Sequence, residues 1–316
     1  MTEAAQKVDL EPFENLDRAA LVSMRMRGLP PAMAPQLYAA VRKSGEPLSY
    51  RCATALAAPD LRKVAILTGI VAGPLLRGET DGPIGASVLA GALGDIGVAA
   101  DVIVPTEMVA VVEAVRDSLH GSFGVVDEAH ARPDGYDAGV AIEKLGRNRR
   151  GVYHWIFGGN LENYSSAADD FIEAIARSGK LTVGVGDGGN EIGFGAVFDE
   201  IREFVPAGAK CKCPCGDGLV TSTATRLVLA ASVSNFGAYS MVAALGVLKG
   251  LPLLLPSPER IAGALEAAVV RGCVDGGTME AGRLMDDSVP LDAVKALVTL
   301  YRTIAAQPFT ATPRRA

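Results

Sequence analysis

The stretch VAILTGIVAGPLLRGETDGPIGASVLAGALGDIGVAADVIVP, residues 64–105, decides the fold. Its wholly apolar first part, residues 64–72, predicts a buried strand, and a glycine-rich polar loop follows at 73–83. Residues 84–97 predict a helix that ends at a glycine, and residues 101–105 predict a second strand. A strand, a helix and a second strand in this order form a βαβ unit, so the sequence predicts a parallel sheet.

The alternation of strands and helices continues along the chain. Residues 1–50 are predicted as a helical segment broken by two prolines near 28–33, residues 51–308 as the α/β domain, and residues 309–316 as a frayed tail. The predicted fold class is α/β, a mainly parallel layered sheet flanked by helices, with the site at the carboxyl ends of the strands. Further strands are predicted at Phe123–Asp127, Val152–Phe157, Leu181–Val183 and Leu227–Val233, and further helices at 106–119, 169–179, 257–272 and 291–306.

The composition limits the classes of protein to which the chain can belong. Its 316 residues are 49% hydrophobic but only 5% aromatic, which is typical of the small-residue core of α/β layers. A net charge of −6 provides no basic surface for nucleic acid. Five cysteines do not make a disulfide framework in so long a chain, and the acidic N-terminus has no apolar signal region. We therefore expect a cytoplasmic protein with reduced thiols.

One uncharged stretch, residues 227–248, is long enough to span a bilayer. Hydroxyl groups, an amide and a glycine in SVSNFGAYS interrupt it. We interpret it as a buried strand, Leu227–Val233, a polar turn and a buried helix, Ala238–Leu248. The sequence therefore predicts no membrane partner.

The segment GVGDGGNEIGFG, residues 184–195, follows a predicted strand and places several glycines around three polar side chains. Its loose G-x-G-x-x-G pattern is weak evidence for a dinucleotide, because Asp187 and Glu191 would repel a pyrophosphate. A divalent metal such as Mn²⁺ suits carboxylates on glycine-rich loops better. We expect no nucleotide cofactor, and we name Asp187, Glu191 and Asp217 as metal ligands. For Asp217 a turn-capping role is an equal alternative.

Two other groups of residues have competing interpretations. The cysteines of CKCPCGDG, Cys211, Cys213 and Cys215, do not have C-x-x-C spacing, so small loop residues are favoured over a zinc site. His154 is interpreted as a core histidine of an apolar strand. Arg147, placed at a predicted helix end, is either a clamp for a substrate carboxylate or a solvated basic residue.

Six segments together resemble the D-glutamate cyclase family over residues 60–305. They are GETDGPIGASVLAGAL, AIEKLGRNRRGVY, GVGDGGNEIGFG, CPCGDGLVTST, ASVSNFGAY and CVDGGT. The resemblance implies an α/β lyase that interconverts D-glutamate and 5-oxo-D-proline plus water by lactam formation, with a divalent metal. The segment at 146–153 departs from the family pattern, so an enzyme that forms or opens another lactam is an alternative.

The resemblance also implies a set of site residues. Catalytic roles are predicted for Asp81, Glu79, Asp187 and Glu191, with Asp81 or Glu79 moving the protons. The expected partner is a small amino acid, and a homodimer stays open as an alternative. A non-catalytic module that binds a small acidic amino acid is the alternative of a different class. Substrate-binding roles are predicted for Arg147, Asn190, Gly188, Gly189, Ser234, Asn235 and Thr80.

Overall fold

Six parallel strands form the central sheet of the protein, whose computed structural model describes residues 8–307. Their order is β3-β2-β1-β4-β5-β6, so the chain first builds one half of the sheet and then crosses to the other. The predicted α/β class and parallel sheet are confirmed. The strands are β1 (Lys63–Thr68), β2 (Ala99–Val104), β3 (Gly124–Asp127), β4 (Ala138–Ile142), β5 (Leu181–Gly186) and β6 (Leu227–Ala230).

Apart from the edge strand β3, whose residues are half-buried, the strands are largely buried on both faces, which explains their short continuous apolar runs. On one face of the sheet, Ile66 and Val102 belong to the large hydrophobic core between the sheet and the helices on that side. On the other face, Leu67 and Ile103 pack in a smaller cluster with Ile172. Successive residues of β1 therefore face opposite cores, as the pleat of a strand requires.

Ten helices surround the sheet among the described residues. Helices α4 and α8 pack against each other and against the sheet, while α6 contacts β4 and β5. The helices are α1 (Glu11–Ala20), α2 (Met33–Arg42), α3 (Leu48–Leu56), α4 (Pro83–Asp95), α5 (Val109–Leu119), α6 (Ala168–Arg177), α7 (Phe198–Ile201), α8 (Ser234–Lys249), α9 (Pro258–Val270) and α10 (Leu291–Ala306). Four two-residue strands precede α10: β7 (Val274–Asp275), β8 (Glu280–Ala281), β9 (Met285–Asp286) and β10 (Val289–Pro290).

The N-terminal helices share the core of the sheet. Phe13 and Leu16 of α1 are fully buried in the same cluster as β1 and α8. The predicted division at residue 50 stays a prediction, but α1 and α3 pack as part of the main body. The tail predicted at 309–316 lies outside the described residues.

Two predicted elements are wrong, and one strand was missed. Residues Val152–Phe157 form a loop with one bridge, between His154 and Asn160, instead of a strand. The fourth strand along the chain is instead β4, and its small residues give only a weak apolar pattern. The helix expected before Arg147 is absent, because residues 141–142 end β4 and a loop follows.

The uncharged stretch at 227–248 contains a strand, a turn and a helix, as predicted. The strand is shorter than expected because α8 already begins at Ser234. Likewise β1 ends at Thr68, since Gly69 adopts a left-handed φ of 88°. None of the described helices combines the length and the apolarity needed to cross a membrane.

Candidate functional site

A cavity of about 340 Å³ lies at the carboxyl ends of β1, β4 and β5. In this sheet order β1 and β4 are neighbours whose connections run in opposite directions, which is where open α/β sheets bind ligands. One wall is apolar and includes Trp155, Ile156 and Phe157. The polar lining consists of Asn190, one cation, Arg25, and six carboxylates, Glu79, Asp81, Glu143, Asp187, Glu191 and Asp287.

The glycine-rich loop after β5 folds around the carboxylate of Glu191. Its Oε1 accepts hydrogen bonds from the N–H groups of Asp187 (3.4 Å) and Gly188 (2.8 Å), and its Oε2 accepts one from Gly189 (2.8 Å). Gly189 has a φ of 92°, which a residue with a side chain would adopt only under strain. The loop thus uses its glycines to wrap one acid, and it leaves Asp187 facing the cavity.

Asp81 and Asn235 cap each other's helices. The Asp81 carboxylate accepts hydrogen bonds from the N–H groups of Ser234 (3.0 Å) and Asn235 (2.7 Å), at the start of α8. The side-chain oxygen of Asn235 accepts hydrogen bonds from Gly82 (3.0 Å) and Gly85 (2.7 Å), at the start of α4. Both helix N-termini therefore point at the cavity and favour negative charge there.

Glu79 and Glu143 bring two further carboxyl groups to the cavity. Glu143 follows β4 with a φ of 44°, an uncommon value for a residue with a side chain, and accepts a hydrogen bond from the Ser234 hydroxyl. Glu79 is 8% exposed and forms no side-chain hydrogen bond within residues 8–307. A Cβ at Gly276 would lie 1.9 Å from Glu79 Oε2, so the chain approaches this acid closely. Among the acids of the cavity, Glu79 therefore contributes least to holding the fold.

Arg25 is the single cation that residues 8–307 bring to the lining of the cavity. Its guanidinium forms ion pairs with Asp187 and Asp287, and its side chain is only 6% exposed. Burial acts to lower the pKa of Arg25, but the two aspartates raise it overall, so the guanidinium stays charged. Arg25 is thus the group best placed to bind an anionic part of a ligand.

Burial is the main cause of raised pKa values among the acids of the cavity, and repulsion between carboxylates adds to it. The pKa values of Glu79, Asp81 and Glu143 lie well above their ordinary values. Burial also raises the pKa of Asp187 and of Asp287 to about 7, against the opposing charge of Arg25. The free cavity therefore holds protonated acids near neutral pH, and an ammonium group or a cation that enters it favours their ionised forms.

These raised pKa values predict that the free protein loses stability as the pH rises from about 5 to 7. The folded state holds protons on Asp187 and Asp287 that the unfolded state, with a pKa near 4, has released. Their contribution is therefore present at low pH and is lost as the pH passes through about 7. Thermal unfolding in a buffer series should show a falling Tm, and Asp187→Asn should make the fall shallower. A Tm that is flat or rises over this range would contradict the prediction.

A larger groove of about 690 Å³ lies at the opposite edge of the sheet. It is lined by residues where strands begin, such as Leu181 and Leu227, and by the surface of α3. The amino ends of parallel strands are not where such sheets bind ligands, and the buried acids lie at the other edge. We therefore assign the candidate site to the smaller cavity.

The structure brings together many, but not all, of the residues predicted from the sequence. Glu79, Asp81, Asp187, Asn190 and Glu191 line the cavity. The backbones of Gly188 and Gly189 and the groups Thr80, Ser234 and Asn235 support it from behind through hydrogen bonds.

Two predicted residues lie elsewhere. The Arg147 guanidinium pairs with Asp170 (2.8 Å) and Glu173 (3.1 Å) on α6 and does not line the cavity. Asp217 lies in the cysteine loop, where it accepts a hydrogen bond from Gly218 N–H, and it is not among the carboxylates that lie close enough together to share a metal ion with Asp187. The capping alternative for Asp217 fits this geometry.

Three charged residues of the cavity were not predicted from the sequence. Glu143 lies in a segment predicted as a helix, so its position directly after a strand was not expected. Asp287 follows Asp286 in a short acidic pair, and Asp286 accepts hydrogen bonds from the Asn235 side chain. Arg25 reaches Asp187 across 162 positions of sequence, a contact without a local signal.

Comparison with known proteins places the chain in a family. A model of the D-glutamate cyclase-like, C-terminal family matches residues 25–299. The chain belongs to this family. The matched range begins at Arg25 and includes every residue that lines the cavity.

A curated relative is the human mitochondrial D-glutamate cyclase, which is 33% identical over 114 residues. The match covers 36% of this chain and 17% of the human protein. It therefore relates this chain to a small part of a much longer relative.

Proposed function

We propose that the protein is a lyase that interconverts D-glutamate and 5-oxo-D-proline plus water. The observation that carries this proposal is the cavity, in which residues 8–307 bring six carboxyl groups, four buried and two half-buried, to a single arginine. Membership of the D-glutamate cyclase-like family and the likeness to the human enzyme support the same reaction.

The charges of the cavity suit an amino acid that carries two carboxylates. An α-ammonium group is attracted by Glu79, Asp81 and Glu143, which otherwise repel one another. A substrate carboxylate can pair with Arg25, the only lining cation in the described part of the chain. The volume of about 340 Å³ is near the lower end of the usual range for small-molecule sites, about 300–1,000 Å³, which fits a five-carbon substrate.

Lactam closure moves two protons from the nitrogen to the leaving oxygen, and Glu79 carries one of them. The Glu79 carboxylate takes the first proton from the ammonium group, and the free amine then attacks the γ-carboxylate carbon. In the tetrahedral intermediate the nitrogen passes its second proton to a γ-oxygen, which becomes a hydroxyl group. As the C–O bond breaks, the protonated Glu79 gives its proton to this hydroxyl group, which leaves as water. The raised pKa of Glu79 lies closer to the pKa values of the substrate groups with which it exchanges protons, which makes both transfers easier.

We also propose that the cavity binds a divalent cation such as Mn²⁺. Asp81, Glu143 and Asp187 each offer a carboxylate oxygen, and these oxygens lie within 4.8 Å of one another. The three acids fit a hard cation, since buried carboxylates of like charge are costly without a counter-charge. When bound, the cation would stabilise negative charge on the reacting carboxyl group. This set replaces the predicted set of Asp187, Glu191 and Asp217.

Replacing Arg25 with lysine should weaken substrate binding more than turnover. Lysine keeps the positive charge but loses the planar pair of donors, so KM should rise about tenfold while kcat changes little. Steady-state kinetics with D-glutamate measure both constants. Arg27→Lys, two residues along and exposed, is the matched control. An unchanged KM in Arg25→Lys would remove Arg25 from substrate binding.

The reaction itself is tested by chiral chromatography of timed samples. Purified protein is incubated separately with D-glutamate, L-glutamate and the two 5-oxoprolines, with Mn²⁺ added or omitted. Interconversion of the D pair alone supports the proposal, and its dependence on Mn²⁺ supports the cation. If no pair interconverts in either condition, the assigned reaction is wrong, and other lactams become the compounds to screen.

A further inference from the structure

A second polar cluster, separate from the acidic cavity, lies beneath its apolar wall. It consists of His154, Cys211, Cys213 and Cys215, whose side-chain N and S atoms lie within 4.8 Å of one another. His154 Nε2 is 3.3 Å from Cys213 Sγ and 3.7 Å from Cys215 Sγ. The Sγ atom of Cys211 is 3.3 Å from those of both other cysteines. His154 was expected as a core histidine of an apolar strand; it is buried, but it lies in a loop instead of a strand.

The four atoms have the number, type and spacing of a tetrahedral zinc site. With Zn–S bonds of about 2.3 Å and Zn–N bonds of about 2.0 Å, neighbouring ligand atoms of a tetrahedron lie about 3.5–3.8 Å apart. The observed separations of 3.3–3.7 Å need only a small expansion to admit the ion. Three sulfurs and one imidazole nitrogen form a Cys₃His set, which is one of the usual structural zinc sites.

The loop around the cysteines is built to present sulfur atoms to one point. Gly216 adopts a φ of 76°, which turns the chain back after Cys215. Cys215 N–H points at Cys213 Sγ (3.4 Å), and the Asn148 amide points at Cys215 Sγ (3.5 Å). Donors of this kind stabilise thiolates and orient metal ligands. The remaining cysteines, Cys52 and Cys273, are buried in the core and take no part.

We propose that His154, Cys211, Cys213 and Cys215 bind one structural zinc ion. All four coordination positions come from the protein, so the site is closed and holds no position for substrate. The ion joins the loop that carries His154 to the cysteine loop, 57 or more positions further along the chain. The spacing of the three cysteines alone did not indicate this site, because the fourth ligand comes from a distant loop.

The ion would also hold one wall of the acidic cavity. The main-chain oxygen of His154 accepts a hydrogen bond from the Asn190 side chain (2.9 Å) in the glycine-rich loop. The three residues that follow His154 line the cavity as its apolar wall. Fixing the imidazole therefore fixes the wall as well as Asn190, without contact between the zinc and the substrate.

Metal content is the direct test. The 316-residue chain, expressed with added zinc and dialysed against metal-free buffer, should retain about one zinc per chain, as measured by elemental mass spectrometry. Cys215→Ser and Cys211→Ser should retain less than about a fifth of this amount. Cys52→Ala, which removes a buried thiol outside the cluster, should retain the full equivalent. Wild-type protein without zinc, or cysteine variants with a full equivalent, would overturn the proposal.

A second measurement uses only the wild-type chain, in case the variants do not fold. Trp155 is the single tryptophan of the sequence and follows His154 directly. Removal of zinc with a chelator should change its fluorescence, and titration with ZnSO₄ should restore it with an endpoint at about one equivalent. Co²⁺ in place of zinc should give the absorption of tetrahedral thiolate coordination. A titration without a defined endpoint and a Co²⁺ spectrum without thiolate bands would overturn the site, whatever the outcome of the turnover assay.

Discussion

Replacing Glu79 with glutamine is expected to lower kcat by about 10²- to 10⁴-fold, the usual contribution of a general acid–base group. Glutamine has nearly the shape of glutamate, but it cannot accept the ammonium proton or return it to the leaving hydroxyl group. Every acid that lines the cavity, except Glu79, forms at least one hydrogen bond or ion pair within the described residues. Steady-state assays with D-glutamate give kcat, and thermal unfolding of the same samples tests the fold.

The fold measurement separates a catalytic role from a structural one. Burial and the neighbouring acids raise the pKa of Glu79, so its charge is unfavourable in the folded state. Removal of this acid should therefore leave Tm unchanged or raise it, while activity falls. Glu266→Gln, at an exposed position of α9, is the control and should keep full activity. If Glu79→Gln keeps most of its kcat, the proton transfers belong to another acid, and Glu143 is the next to test.

The sequence was sufficient to predict the class of fold. Residues 64–105 contain a complete βαβ unit, and local apolar runs with a terminal glycine mark its elements. The strand β4 escaped prediction because Gly139 and Ala141 make its apolar run weak, although it lies at the centre of the sheet. Its neighbours β1 and β5 supply the packing that such small residues lack on their own.

The candidate site was predictable only where its residues share a local pattern. Asp187 and Glu191 stand in one glycine-rich loop, so the sequence indicated both. Arg25 lies on a separate segment before α2, and only the folded chain brings it to Asp187. The positive charge of Arg147 made it a reasonable choice for binding a carboxylate, but its own neighbours on α6 bind it instead.

The roles of residues were harder to predict than their positions. Asp81 was expected to move protons, yet both its oxygens accept backbone hydrogen bonds at the start of α8. Its partner Asn235 is 154 positions away, and only the packing of α4 on α8 makes them a pair. Polar residues near helix starts can serve the ligand or the helix, and sequence alone does not separate these roles.

Asn235→Ala is expected to destabilise the protein by about 3 kcal/mol, because several buried groups lose their partners at once. The side chain is fully buried, and its oxygen caps α4 through Gly82 and Gly85. Its amide donates to the main-chain oxygen of Thr80 and to the carboxylate of Asp286. Chemical unfolding in urea measures the free energy. Asn15→Ala is the control, since Asn15 accepts one exposed hydrogen bond from Arg18 and should cost less than about 0.5 kcal/mol.

Asn235→Asp separates the role of the capping oxygen from that of the amide, because it keeps the shape of the side chain and the oxygen that caps α4. The aspartate would lose the amide that donates to Asp286 and would add a carboxyl group beside Asp81 and Asp286. Stability should therefore fall as it does for Asn235→Ala, and the loss should grow as the pH rises and the new acid ionises. A variant as stable as the wild type at pH 8 would mean that the capping oxygen alone carries the role of Asn235. The hydrogen bonds among Asp81, Asn235 and Asp286 at the helix starts would then tolerate a further negative charge beside the cavity. A cation bound in the cavity would allow this.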